Sequence, residues 1–209
     1  APDLTIQELD KEVIVYITNP ETSNNHLERY EAIDPSIVYS SLHPALANID
    51  QTYNFEGYQL FQLKDATVTT ADLYDPDKVR LIGQCDIQNG VAQLVNSEFD
   101  QNLQMDVPMD MTIQSDDNGI AHSFSVKTDA FAAGDNRLIN HKTYYYLVLA
   151  YAYNRYLDYD DVTFDPLSPL APSNIGQKKP YLAGRKNVRT YSAIPHITSP
   201  ELYGTDQPA

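Results

Sequence analysis

The chain's one concentration of potential ligands is Asp158-Tyr-Asp-Asp-Val-Thr-Phe-Asp165. Calcium is held by several carboxylate and carbonyl oxygens presented from a pliable loop. Asp158, Asp160, Asp161 and Asp165 therefore form a candidate calcium site. Their spacing lacks the Asp-x-Asp-x-Asp-Gly order of a defined calcium loop. Composition favours a plainer reading, a solvated loop tip in a chain that is acidic throughout. Asp75-Pro-Asp77 and Asp116-Asp117 read as turns, because Asp hydrogen-bonds its own backbone there. No other cofactor is indicated. The five histidines (His26, His43, His122, His141, His196) are scattered, without a His-Glu-x-x-His pair. Neither a Gly-x-Ser-x-Gly elbow nor a phosphate-cradling loop occurs among the eight glycines. Cys85 lies between Gln84 and Asp86 in an apolar stretch with no cation beside it, which fits a buried, inert thiol. The chain is therefore expected to be non-catalytic.

A second candidate is a surface. Tyr144 to Tyr153 is a run of aromatic and aliphatic residues, which favours a strand. Alternate residues of a strand face opposite sides. With Tyr144, Tyr146, Val148 and Ala150 turned to a core, Tyr145, Leu147, Leu149, Tyr151 and Tyr153 point away from it. The preceding long strand adds Phe61 and Leu63 to that outer face. One side of an antiparallel sheet is ordinarily polar, and a bare apolar face of this size is rare on soluble monomers. Something must cover it. The expected cover is the 20–53 segment, through Leu27, Tyr30, Ile33, Ile37, Val38 and Leu42. The alternative is a docking surface for a neighbouring domain or partner, where tyrosine is enriched.

These groups are carried by a series of predicted strands. They are Leu4–Leu9, Val13–Ile17, Phe55–Leu63, Val79–Cys85, Met109–Ile113, Ile120–Val126, the tyrosine run, and Lys186–Ile194. Val91–Val95 adds a short one, followed by loop to Val107. Asn89-Gly90 and Asp116–Gly119 mark tight turns. Helix is expected over His26–Ile33, capped by Ser23 or Asn24, and as a turn near Thr70–Asp77. Strands separated by turn signals, with almost no helical period, indicate an all-β fold, an antiparallel two-sheet sandwich.

Composition bounds the rest. The 209 residues carry 14 basic and 29 acidic side chains, a net charge of −15. That argues against nucleic acid, which needs clustered Lys and Arg. The longest apolar run is about half the roughly 20 residues of a membrane helix, so no membrane insertion is expected. A single cysteine allows no internal disulfide. No signal peptide is read at Ala1-Pro2-Asp3, and residues 198–209 read as a linker or tail, so a module of a longer chain is expected.

Leu138-Ile-Asn-His-Lys-Thr-Tyr144 has the spacing of a tyrosine corner, in which a Tyr near the start of a strand hydrogen-bonds back to the preceding turn. Here the chain resembles the fibronectin type III family. Ala1-Pro2-Asp3-Leu4 is similar to that family's first-strand start, Gly57-Tyr58-Gln59-Leu60 to its third strand, and Tyr144-x-Tyr-x-Val-x-Ala150 to its sixth. The resemblance implies an immunoglobulin-like sandwich spanning residues 1–197 as a single elaborated domain, with Leu138 and Tyr144 as its corner. The chain departs from the family in length, in lacking any Trp, and in the 20–53, 64–135 and 155–180 segments. Phe55–Asp65 and Ala183-Gly-Arg-Lys-Asn187 also resemble segments of the large surface and secreted proteins of Bacteroidota exported by the type IX system. That resemblance implies an extracellular or cell-surface location. It also implies a non-catalytic role in spacing, docking or adhesion, with neighbouring domains or surface proteins as partners. The alternatives are a module that binds carbohydrate or calcium, or an accessory domain of a secreted enzyme.

Overall fold

The computed structural model describes residues 1–35, 37, 49–113, 117–156, 179–184 and 186–198. Within them the chain forms β1 (Asp3–Leu9), β2 (Glu12–Thr18), β3 (Glu31–Ile33), β4 (Thr52–Leu63), β5 (Val79–Asp86), β6 (Val95–Asp100), β7 (Met105–Asp110), β8 (Ser123–Val126), β9 (Tyr144–Tyr153), β10 (Tyr181–Ala183) and β11 (Tyr191–Ala193). Among the described residues helix is confined to 3-10 turns at His26–Glu28 and Thr70–Asp72. The molecule is all-β, with antiparallel sheets arranged as a sandwich.

One sheet has the order β1-β2-β8. Val13, Val15 and Ile17 alternate into the core from β2, the period expected of a strand with one buried face. The two-residue turn Asp10-Lys11 joins β1 to β2, with Lys11 in the left-handed region that such tight hairpins require. The second sheet is centred on β4 and β9, paired from Asn54↔Tyr153 to Leu63↔Tyr145. β3 and β5 line the far edge of β4, while β10 and β11 line the far edge of β9. β6 and β7 form a separate hairpin.

The main core lies between the two sheets. Leu4, Val13, Val15, Ile17 and Val126 from the first meet Tyr53, Phe55, Tyr58, Leu60, Tyr144, Tyr146, Val148, Ala150 and Ala152 from the second. Burying each large side chain here contributes about 1.5–3 kcal/mol. A bulge between Phe55 and Gly57 lets Phe55 and Tyr58 face the same side, with ring centroids 5.0 Å apart. Only glycine fits at position 57. A Cβ there would lie 2.1 Å from the Cys85 carbonyl oxygen and 2.9 Å from the Tyr151 ring.

Several expectations are corrected. The helix over His26–Ile33 is a single 3-10 turn followed by β3, and neither Ser23 nor Asn24 caps it. Leu27 and Glu28 both have left-handed backbones, which breaks any helical path. Hydrogen bonds explain why the chain turns there. The Asn25 amide group donates to Tyr58 Oη at 3.1 Å, and Tyr58 Oη donates to Glu28 at 3.1 Å, so the loop is tied to a fully buried phenol. Residues 95–110, read as mostly loop, are the β6–β7 hairpin, while β8 begins at Ser123 rather than Ile120. The final predicted strand, Lys186–Ile194, is shortened to β11, and β10 precedes it outside the predicted bounds.

Candidate functional site

The outer face of β4 and β9 is covered, but not by the described residues of the 20–53 segment. Tyr30 and Ile37 of that segment join the core between the sheets, and Leu27 and Ile33 are exposed. Val38 and Leu42 lie outside the described residues. The cover comes instead from the segments that follow β4. Val68 and Leu73 pack with Val79 against Phe61, Leu63, Leu147 and Leu149. Leu94 and Met111 pack with Tyr181 against Tyr151. Phe61, Leu63, Leu147, Leu149 and Tyr151 are buried, while Tyr145 and Tyr153 are half-buried against these clusters. Of the seven residues read as a docking surface, Phe61, Leu63, Leu147, Leu149 and Tyr151 are therefore occupied by the molecule's own chain.

Gln59 sits on this same face and is fully buried. Its amide donates to the Met111 carbonyl at 2.6 Å and to Gln84 Oε1 at 3.1 Å, and its carbonyl accepts from Tyr181 Oη at 2.7 Å. Every bond ties a covering segment or neighbouring strand to β4, which compensates the burial of a polar side chain. Asn96 completes the attachment. Its side chain donates to the Tyr181 carbonyl at 3.2 Å and accepts from the Tyr181 amide at 3.1 Å, as a strand partner would.

The end of the molecule at the Asn89-Gly90 turn carries a group of acids. Glu56 occupies the β4 bulge and is buried. Burial, reinforced by the nearby Asp86 and Asp117 charges, pushes its carboxyl up to about 7 against hydrogen bonds from Asn89 Nδ2 at 2.9 and 3.0 Å. Asp117 accepts from the Asn89 and Gly90 amides at 2.8 and 2.9 Å, fixing the turn. Elsewhere, burial would raise the Asp129 carboxyl. Contacts with Lys142 at 2.7 Å, the Phe131 amide and Gln62 instead hold it below its ordinary value. Among the described residues no three His, Cys, Asp or Glu side chains are placed to hold a metal ion together. Asp158, Asp160, Asp161 and Asp165, the candidate calcium ligands, lie outside the described residues.

At the other end, Tyr144 Oη accepts a hydrogen bond from the Ile139 amide at 2.9 Å, with Lys142 Nζ 4.9 Å from its ring centre. Leu138 is buried beside it. Asn140, in the same turn, accepts from the Lys11 amide at 2.8 Å and donates to Asp10 at 2.7 Å. The turn before β9 thus holds the β1–β2 hairpin in place. Cys85 is buried, and burial pushes its thiol up as its Sγ donates to the Ala121 carbonyl. His122 and Glu28 meet at 2.6 Å near the surface, and His141 has a left-handed backbone in the turn before Tyr144.

The feature that the sequence reading missed is the far half of the β6–β7 hairpin. Phe99, Leu103 and Met105 are 59%, 61% and 56% exposed, and Met109 is also exposed. Its signal was present in the sequence: three apolar side chains among Asp and Asn, with no Lys or Arg from Leu81 to Val126. Among the described residues no helix is long and apolar enough to cross a membrane. Compared with known proteins, the chain matches no family model, no curated protein and no solved structure.

Proposed function

We propose that the chain is a structural and interaction module of the fibronectin type III kind, carried by a long extracellular or cell-surface polypeptide and acting in docking or adhesion. The observation that carries this reading is the strand order. An immunoglobulin-type sandwich places its third, sixth and seventh strands in one sheet, and its first, second and fifth in the other. β4 and β9 bear the Gly-Tyr and Tyr-x-Tyr-x-Val patterns of the third and sixth strands and lie side by side, with β10 and β11 beyond β9. β1, β2 and β8 take the places of the first, second and fifth. The Tyr144–Ile139 hydrogen bond supports the same reading. The 64–78 and 87–122 segments are then elaborations that seal the outer sheet face. The host polypeptide, on the textural resemblance, is of the type IX-secreted Bacteroidota kind.

The test is in-frame deletion of residues 1–198 from the polypeptide that carries them, with surface labelling of intact cells. The shortened polypeptide is expected to reach the surface and to lose a binding or adhesion phenotype. Retention of the intact polypeptide inside the cell, or unchanged surface binding after deletion, would overturn the reading.

A further inference from the structure

We infer that the β6–β7 hairpin is the docking element of this module, and that its partner is a basic protein segment bearing apolar side chains. The inference rests on the proposed role as an interaction module. Exposed apolar residues scattered singly are ordinary, but grouped ones mark interaction sites. Phe99, Leu103 and Met105 surround one turn: Phe99 pairs across from Asp106 on one face of the hairpin and Met105 from Asp100 on the other, so the apolar side chains flank the tip on both sides. Aromatic and methionine side chains are the types enriched at the centres of interfaces.

Charge selects the partner. The ionisable side chains of the two strands are Glu98, Asp100, Asp106 and Asp110, all acidic, and of these Glu98 faces Lys179 Nζ at 3.7 Å. No Lys or Arg occurs from Leu81 to Val126. An apolar tip set in acids complements a basic partner and speeds encounter with it. Anionic membrane surfaces, which attract basic segments, are disfavoured by the same charges. So is a second copy of a chain whose net charge is −15.

The tip is also pre-shaped. Asp100 Oδ1 accepts from the Asn102 and Leu103 amides at 2.7 and 3.0 Å, and Gln104 takes a left-handed backbone. The base is fixed by buried Leu94 and Met111 and by the Asn96–Tyr181 pair. Little ordering is left for binding to oppose. Pro108 denies β7 one amide, which works against strand addition along that edge. Recognition therefore runs through side chains.

The experiment screens a random peptide array with the full chain, alongside the Phe99→Ser/Leu103→Ser/Met105→Ser variant. These positions are exposed, so the variant is expected to melt like the parent. Peptides that combine Lys or Arg with aliphatic or aromatic residues should bind the parent and weaken with added salt. The variant should bind them about tenfold less well or worse. Absence of such peptides, equal binding by the variant, or hairpin-dependent binding to zwitterionic vesicles or to a second copy would overturn the inference. If deleting residues 1–198 removes surface binding while the triple variant keeps it, the module reading stands and the hairpin assignment falls.

Discussion

On the inner face of β9, Tyr144, Tyr146, Val148, Ala150 and Ala152 meet a second sheet; on its outer face, Leu147, Leu149 and Tyr151 meet two irregular segments. Both faces are buried, but the covers differ in kind. The inner cover is a hydrogen-bonded ladder whose register runs from Asp3↔Thr18 to Leu9↔Glu12 and on to β8. Over Leu147 and Leu149 the outer cover is the 64–78 segment, held by local backbone turns and exposed side-chain bonds rather than by a ladder. Asp65 accepts from Thr67, Thr69 and Asp72 cap each other around a 3-10 turn, and Lys78 meets Asp72 at 2.6 Å. Exposed ion pairs of this kind add little stability. Equal burial therefore does not mean equal rigidity. The outer cover is therefore expected to open locally before the molecule unfolds globally.

The largest expected effect tests this difference directly. Leu60 faces the inner core and Leu149 the outer cover, and both are fully buried. Truncating a buried Leu to Ala costs about 2–5 kcal/mol, less where the surroundings can collapse onto the space. Leu60→Ala should fall in the upper half of that range and Leu149→Ala in the lower half, measured by urea unfolding. Equal losses would mean that an irregular cover packs as rigidly as a sheet, and the distinction between the faces would fail.

A smaller effect sharpens the comparison through pH. Glu56 lies at the bulge of β4, and its carboxyl is raised from 4.5 to about 7 in the folded chain. The folded state therefore binds this proton more tightly than the unfolded state. Its contribution is fully present below pH 4.5 and is lost as pH rises through about 7. Stability should fall by about 1–3 kcal/mol across that window. Glu56→Gln removes the titration, so its unfolding free energy should stay level there and exceed the parent's at alkaline pH. Parallel pH profiles for the two proteins would show that Glu56 is hydrated enough to ionise freely.

How much of this was legible in the sequence follows the same division. The alternation of Val13, Val15 and Ile17 and of Tyr144 to Ala150 marks strands with a shared inner core, because the period of a strand is written locally. The Leu138–Tyr144 spacing is local too. The outer cover is not. Val68, Leu73, Leu94 and Met111 are isolated apolar residues in polar stretches, and only long-range packing brings them to β9. β6 and β7 escaped notice because Asn, Asp, Ser and Pro are poor strand formers, and pairing in a hairpin overrides that preference. The His26–Ile33 helix failed for a related reason. Its capping residues are present, but ties from Asn25 and Glu28 to a distant phenol outweigh them. The apolar outer face itself was visible, and so was its need for a cover. Which residues supply the cover was not.

The smallest expected effect separates two tyrosines on one face of one strand. Tyr144 Oη accepts from the Ile139 amide, while the Tyr146 hydroxyl is buried and has no hydrogen-bond partner among the described residues. Phenylalanine preserves the ring in both cases and removes only the hydroxyl. Tyr144→Phe leaves a backbone amide unpaired and should cost about 1 kcal/mol. Tyr146→Phe removes a buried polar group that gains nothing from the fold, so it should be neutral or stabilising by up to about 1 kcal/mol. Thermal unfolding of the two variants side by side decides the point. A Tyr144→Phe protein that melts like the parent would mean that the turn is held by Asn140 and Leu138 alone, and the corner would lose its part in the argument for the sandwich type. A Tyr146→Phe protein that loses as much as Tyr144→Phe would mean that its hydroxyl bonds a trapped water, and that the inner core is less dry than the packing of its side chains implies.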